Sequence, residues 1–329
     1  MPVRFRLGLA DLASAYFACS PIQETVLSLR MWTHPGRYPH TVAFEAMRPA
    51  FEALPAAPLL RALVAGNKYV PDFLTPRPVV PFPDFHAELA RVRGFEPARL
   101  EAELTQTFLP HDRALPPLLA ERLDRPAELI GEIADALEAY WTRVLEPSWW
   151  PRARSVLHAD IVHRARVLAE RGAAGLFGDL DHRLRWADGV LTLAWEWGYE
   201  QESEVEVDGR GMAFLPTCFS RGALTAIGPD LTPSITYLAR GQATLAGPAD
   251  PPPTPRALEQ LLGTPKARLL ALLHEPVSTT ELARRLGVTP GAVSQHLTVL
   301  HATRLVTRAR HGRLVLYTRT PLADRLLAP

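Results

Sequence analysis

Cysteine is almost absent: Cys19 and Cys218 are the only two in 329 residues. Two thiols cannot build a disulfide framework and are too few for a cysteine-rich metal site, so a reducing compartment is the simplest reading. Long apolar runs are missing too, and none approaches the ~18 residues that a membrane span requires. Arg4 and Arg6 precede an apolar stretch in the manner of a secretion signal, but Asp11 interrupts it. The segment reads better as a strand, Val3–Leu7, followed by an amphipathic helix. The expectation is a soluble cytoplasmic protein that does not engage a membrane. Catalytic signatures are lacking as well: there is no GxSxG, no phosphate-binding P-loop and no GxGxxG. His158 and His163 stand five apart, which places them on different helix faces and breaks the i, i+4 geometry of a zinc pair. No enzyme, cofactor or metal is predicted.

Proline, by contrast, is abundant at 32 residues, and the composition of 47% hydrophobic and 22% charged is ordinary for a globular chain of about two domains. The net charge of +1 averages two unlike parts. From Thr264 to Pro329 ten Lys and Arg face three acids, which leaves the preceding part acidic. A basic module on an acidic body fits a polyanion-binding head joined to a part with another task. A chance cluster of solvated arginines is the bland alternative.

The chain to about Gly178 reads as mostly helical. Ser20-Pro21 opens a helix with a cap and a first-turn proline, and Ile22, Val26 and Leu29 give it one apolar face. Further helices are expected at Thr41–Leu54, Phe85–Val92, Pro97–Phe108, Ala127–Leu145 and Trp149–Arg171. Five prolines between residues 70 and 84 exclude a regular helix there. The period then changes. Asp188-Gly189 between Leu184–Trp186 and Val190–Leu193 is a hairpin signal, and Asp208-Gly209 between Val205–Val207 and Met212–Leu215 repeats it. Ile235–Leu238 is a further strand. Trp141, Trp149, Trp150, Trp186, Trp195 and Trp197 are expected as anchors between the long helices and this β region rather than as ligand contacts. Five prolines between 248 and 255 mark a semi-rigid linker.

Thr264-Pro265 begins a helix that Pro276 stops. Ser278 and Glu281 form a capping box for Thr279–Leu286, Gly287 supplies the turn, and Thr289-Pro290 caps a third helix running to about Leu300. Ala283 is small enough for two helices to cross. Val293, Leu297 and Leu300 bury the third helix, so its opposite face carries Ala292, Ser294, Gln295 and Thr298, small and hydrogen-bonding side chains suited to a major groove. Val306–Arg310 and Arg313–Tyr317 flank His311-Gly312 as a hairpin with arginine at its tip, the shape of a wing that touches phosphates or the minor groove.

The segment Ser278–Thr318 resembles the winged-helix core of ArsR-type transcriptional regulators, notably through Val293-Ser294-Gln295-His296-Leu297 and the Gly312…Tyr317 strand. The likeness covers about a fifth of the chain. Ser20-Pro21…Glu24-Thr25…Leu29-Arg30 resembles the helical N-terminal domain, of uncharacterised role, found on some larger members. Two departures matter. Arg304 stands where the family commonly has Gly before the Leu-Val that enters the wing. The cysteine or His/Asp pairs of metal-sensing members are absent, which argues against a metal sensor. The resemblance implies double-stranded DNA as partner, repression as the usual mode, and a homodimer, because one helix reads only a few base pairs and two would sit about 34 Å apart on a pseudo-palindrome.

The resulting expectation is an α+β chain. Residues 1–246 form an effector or assembly domain, helical over 1–180 and with a small antiparallel β region over 181–246. Residues 247–256 are a Pro-rich linker, and 257–329 a winged helix-turn-helix. Ser294, Gln295 and Thr298 are candidate base readers, with Thr289, His296, Arg308, Arg310 and Arg313 on phosphate or the minor groove. The N-terminal domain is read either as a sensor of a small-molecule effector, with an apolar pocket, or as a dimerisation module with an exposed apolar patch. A winged helix used only for protein contacts, and an enzyme-like domain on a DNA-binding tail, are the alternatives.

Overall fold

The computed structural model describes residues 2–66, 69–112, 114–194, 203–228, 231–246, 255–311 and 314–327. The chain forms two compact units, Met1–Ala249 and Asp250–Pro329. The expected Pro-rich linker lies, from 247 to 254, outside the described residues, as do Trp195 and Trp197. No described helix is long and apolar enough to cross a membrane.

The helical part of the first unit gathers Ile22, Phe51, Leu60, Ile133, Leu137 and Trp149 into one core. Ser20 caps the helix Pro21–Ser28, its hydroxyl accepting from Gln23 N at 3.1 Å. That helix differs from the amphipathic reading: all eight residues are buried, Gln23, Glu24, Thr25 and Ser28 included. Its polar side chains survive burial because most find partners. Glu88 accepts from Ser20 Oγ (2.9 Å) and Ile22 N (3.1 Å), Glu24 accepts from Cys218 N (3.2 Å) and the Thr217 hydroxyl, and Ser28 meets the Tyr140 hydroxyl at 2.9 Å. The helix Pro126–Tyr140 passes into a π-helical turn, Trp141–Leu145. The long helix Trp150–Leu180 breaks its backbone at Gly172, where φ is 68°. The expected end at Arg171 therefore falls at this break, beyond which the chain resumes helix.

The β region differs from the antiparallel hairpins expected of it. Two four-stranded sheets form, and each recruits an N-terminal strand. The first has the order β3-β4-β1-β5, from Leu184–Ala187, Val190–Leu193, Val3–Arg6 and Ser203–Glu206. The second has the order β2-β6-β8-β7, from Tyr16–Phe17, Ala213–Thr217, Ser234–Leu238 and Leu224–Ala226. The hairpin at Asp188-Gly189 is present, with φ of 51° and 78° at the turn and Leu184 opposite Leu193. The one expected at Asp208-Gly209 is not. β5 pairs in parallel with β1, and β6 in parallel with β2 and β8. The buried Asp11 explains this: its carboxylate accepts from Gly8 N (2.8 Å), Gly209 N (2.8 Å) and Gly211 N (3.3 Å). The 208–211 turn is pinned to the first helix and sends its two strands into different sheets. A second core, including Phe5, Leu180, Leu191, Phe214 and Tyr237, fills the region. Buried Asp160 ties the long helix to it, accepting from Tyr237 Oη (2.6 Å), Arg164 Nη2 (3.0 Å) and Arg240 N (2.8 Å).

In the second unit the helices Pro255–Leu262, Thr264–Leu272, Thr279–Leu286, Pro290–Ala302 and Pro321–Leu327 surround a core that includes Leu270, Leu282, Ala283, Val293, Leu297 and Leu300. A three-stranded sheet completes it, order β10-β11-β9, from Val306–His311, Leu314–Arg319 and Val277–Ser278. This is the architecture of a winged helix-turn-helix.

Candidate nucleic-acid interface

The helix-turn-helix is set by three caps. Ser278 Oγ accepts from Glu281 N at 3.3 Å. Glu281 does not return the bond as a full capping box would. Its carboxylate turns to Arg285 (2.9 Å) and Arg284 (3.4 Å), and Arg285 holds it below the usual carboxylate range. Gly287 ends the helix at φ 65°, in the left-handed region where a side chain would be strained. Thr289 Oγ1 then accepts from Ala292 N at 3.3 Å and Pro290 occupies the first helical turn. The same hydroxyl that was assigned to phosphate therefore also fixes the start of the third helix.

Burial of Val293, Leu297 and Leu300 turns Ser294, Gln295 and Thr298 outward, and His296 is half-buried at the edge. The exposed hydroxyls and amide differ in what they can offer. Thr298 Oγ1 donates to Ser294 O at 2.9 Å, so its proton is committed and it presents acceptor lone pairs and a methyl group. Gln295 makes no hydrogen bond among the described residues, which leaves both a donor and an acceptor for a base edge.

The helix ends in a Schellman arrangement. Arg304 N donates to His301 O (3.0 Å), Leu305 N to Leu300 O (2.9 Å), and Arg304 itself stands at φ 58°. Where the ArsR pattern has Gly, this chain keeps the glycine conformation with an arginine in it. The next strand carries Arg308 and Arg310, two apart and so on one face, both exposed, opposite Tyr317 and Val315 on β11. Arg313 at the wing tip lies outside the described residues.

The electrostatics favour an anionic partner. From Thr264 onward each of the three acids has an internal arginine: Glu275 and Glu281 pair with Arg285, and Asp324 with Arg319. The third helix has no acidic residue. From Thr264 onward, then, no described acid stands without an arginine partner, which favours approach of a phosphate backbone. The face thus gathers seven of the eight expected contact residues onto one helix and its adjoining wing strand. Arg304 was noticed in the sequence only as a departure. It is exposed at the C-terminal end of the third helix.

Residues 269–313 match the family model described as the MarR family. The match begins within the helix Thr264–Leu272 and lies inside the C-terminal unit. The solved structure of a mutant of Lactococcus lactis ZitR is 28% identical over the region compared, with a TM-score of 0.18. That comparison covers 18% of this chain and 44% of the other, so the chain spans under half the length of the structure it matches. None of the curated proteins matches the chain.

Proposed function

We propose that the chain is a sequence-specific, DNA-binding transcriptional regulator rather than an enzyme, of the ArsR type within the winged-helix group, acting as a repressor in the cytoplasm. The observation that carries this reading is the acid-free outward face of Pro290–Ala302, where Gln295 has its amide uncommitted, together with the exposed arginines Arg308 and Arg310 on the wing strand that follows. Gln295 suits the paired donor and acceptor that adenine offers in the major groove. The arginines suit phosphate, which supplies affinity without sequence information. Two copies would place two such helices on a pseudo-palindromic operator. The unit Met1–Ala249 would then carry effector binding or dimerisation.

The test is binding of the full chain and of Gln295→Ala to its own upstream DNA and to a random duplex. The intact chain should prefer the upstream fragment. Gln295→Ala should lose about 1–3 kcal/mol of that preference while keeping most of its affinity for random DNA. Equal loss on both duplexes removes Gln295 as a base reader. Binding to neither by the intact chain points to a winged helix used for protein contacts.

A further inference from the structure

Two clefts of the first unit meet at one residue, and together they make a groove with unlike ends. Along the helix Trp150–Leu180, positions Trp150, Arg154, His158, Val162 and Arg166 follow one another at four-residue steps, which forms a single ridge roughly 24 Å long. A cleft of about 420 Å³ lies beside its first half and one of about 580 Å³ beside its second, and His158 lines both.

The first cleft is aromatic. Trp150 is half-buried and lies 5.2 Å from Trp141, while Phe82 is 51% exposed and leans on His158 at 4.2 Å between centroids. Glu146 lines this end, and Asp84 there is engaged in capping the next helix through His86 N. Two arginines, Arg166 and Arg240, line the second cleft. Arg166 is exposed and has no hydrogen bond or ion pair among the described residues, and the same holds for Arg154 at the join. Arg240 is held at 2.8 Å from His163 Nδ1, while His163 Nε2 lies 3.0 Å from Asp179. Arg240 Nη1 also lies 3.1 Å from His163 Nε2, so the ring holds the guanidinium in place at the cleft and stands between it and Asp179. The acid that lines this end, Asp160, is buried and already saturated by Arg164, Tyr237 and the Arg240 amide.

We propose that this groove binds an elongated aromatic anion: a planar ring between Phe82 and Trp150, with two or more negative charges reaching Arg154, Arg166 and Arg240 further along. The chemistry is that of a nucleoside polyphosphate. Aromatic faces accept any planar base, and several guanidiniums suit a chain of phosphates. A small aliphatic anion would leave the aromatic end unused, and a neutral ring would leave the arginines unpaired. The inference deepens the proposed function by naming the class of effector, and only the word effector depends on DNA binding.

The experiment uses the full chain without DNA. ATP, adenosine and inorganic triphosphate are titrated separately, followed by calorimetry and by tryptophan emission. ATP should bind once per chain and quench tryptophan. Inorganic triphosphate should bind at least tenfold more weakly and leave emission unchanged. The double variant Arg154→Glu, Arg166→Glu should weaken ATP at least tenfold while its melting temperature stays that of the parent, since both side chains are exposed and make no side-chain hydrogen bond or ion pair among the described residues. Trp150→Leu should bring ATP down to the affinity of triphosphate. No heat and no quenching at millimolar ATP overturns the proposal. So does ATP binding that survives the double charge reversal, or triphosphate binding as tightly as ATP.

Discussion

Arg304→Gly should stabilise the winged helix. Arg304 occupies the left-handed position after the third helix at φ 58°, and its side chain is exposed. Its backbone bonds belong to the turn and need no side chain: its N–H reaches His301 O, and its carbonyl accepts from Thr320 Oγ1 at 2.9 Å. A Cβ in that conformation costs roughly 1–2 kcal/mol. Glycine removes this cost but loses more freedom on folding, about 0.5–1 kcal/mol. The net gain is about 0.5–1 kcal/mol, or a two- to fivefold slowing of exchange if the unit opens as a whole. The assay is amide hydrogen exchange at Leu297 and Leu300, fully buried residues of that helix, compared in the parent, Arg304→Gly and Arg304→Ala. Alanine keeps the Cβ and should give no such gain. A gain for alanine equal to that for glycine, or no gain for glycine, refutes the backbone argument.

Other consequences concern the two cores. Leu297 is fully buried at the centre of the C-terminal core, so Leu297→Ala should cost about 2–5 kcal/mol and abolish binding to specific and random DNA alike, measured by denaturant unfolding and by anisotropy. In the first unit, burial raises the carboxyls of Glu24 and Glu88 from 4.5 to about 7 each, against the hydrogen bonds they accept. A raised acid holds its proton in the folded chain while the unfolded chain releases it. Its contribution is therefore full below pH 4.5 and declines as pH rises toward 7, by up to roughly 3 kcal/mol for Glu24. Glu24→Gln should flatten the pH dependence of stability between 4.5 and 7, and an unchanged slope in denaturant titrations counts against the buried acid.

Local signals carried the C-terminal unit. Its caps, its glycine turn and the Val293, Leu297, Leu300 spacing all act within a few residues, so they could be read in order along the chain. The same holds for the Asp188-Gly189 hairpin. Asp208-Gly209 has the same dipeptide chemistry and a turn does form there, but the pairing of its strands is decided by Asp11, about 200 residues away in sequence. Parallel pairing of Val3 with Ser203 leaves no turn to signal it. Gln23, Glu24, Thr25 and Ser28 lie off the Ile22, Val26, Leu29 stripe, and their burial depends on partners such as Glu88, Tyr140 and Cys218, whose proximity no local pattern records. Trp141 and Trp150 were expected as core anchors. Trp141 is one, and both also line the aromatic cleft, with Trp141 at the start of the π-helical turn. On the interface, the face of the third helix was readable from its period, whereas the commitment of the Thr298 proton and the left-handed Arg304 leave no mark in that period.

The central claim is that the C-terminal unit grips double-stranded DNA through its wing. The most direct measurement is the salt dependence of binding to the upstream duplex for the parent and for Arg308→Ala with Arg310→Ala. Each phosphate contact contributes about 0.9 to the slope of log K against log salt. The account predicts a steep slope for the parent, a slope smaller by about 2 for the double variant, and weakening that is uniform across sequences. A flat slope in the parent, or an unchanged slope in the variant, would contradict it.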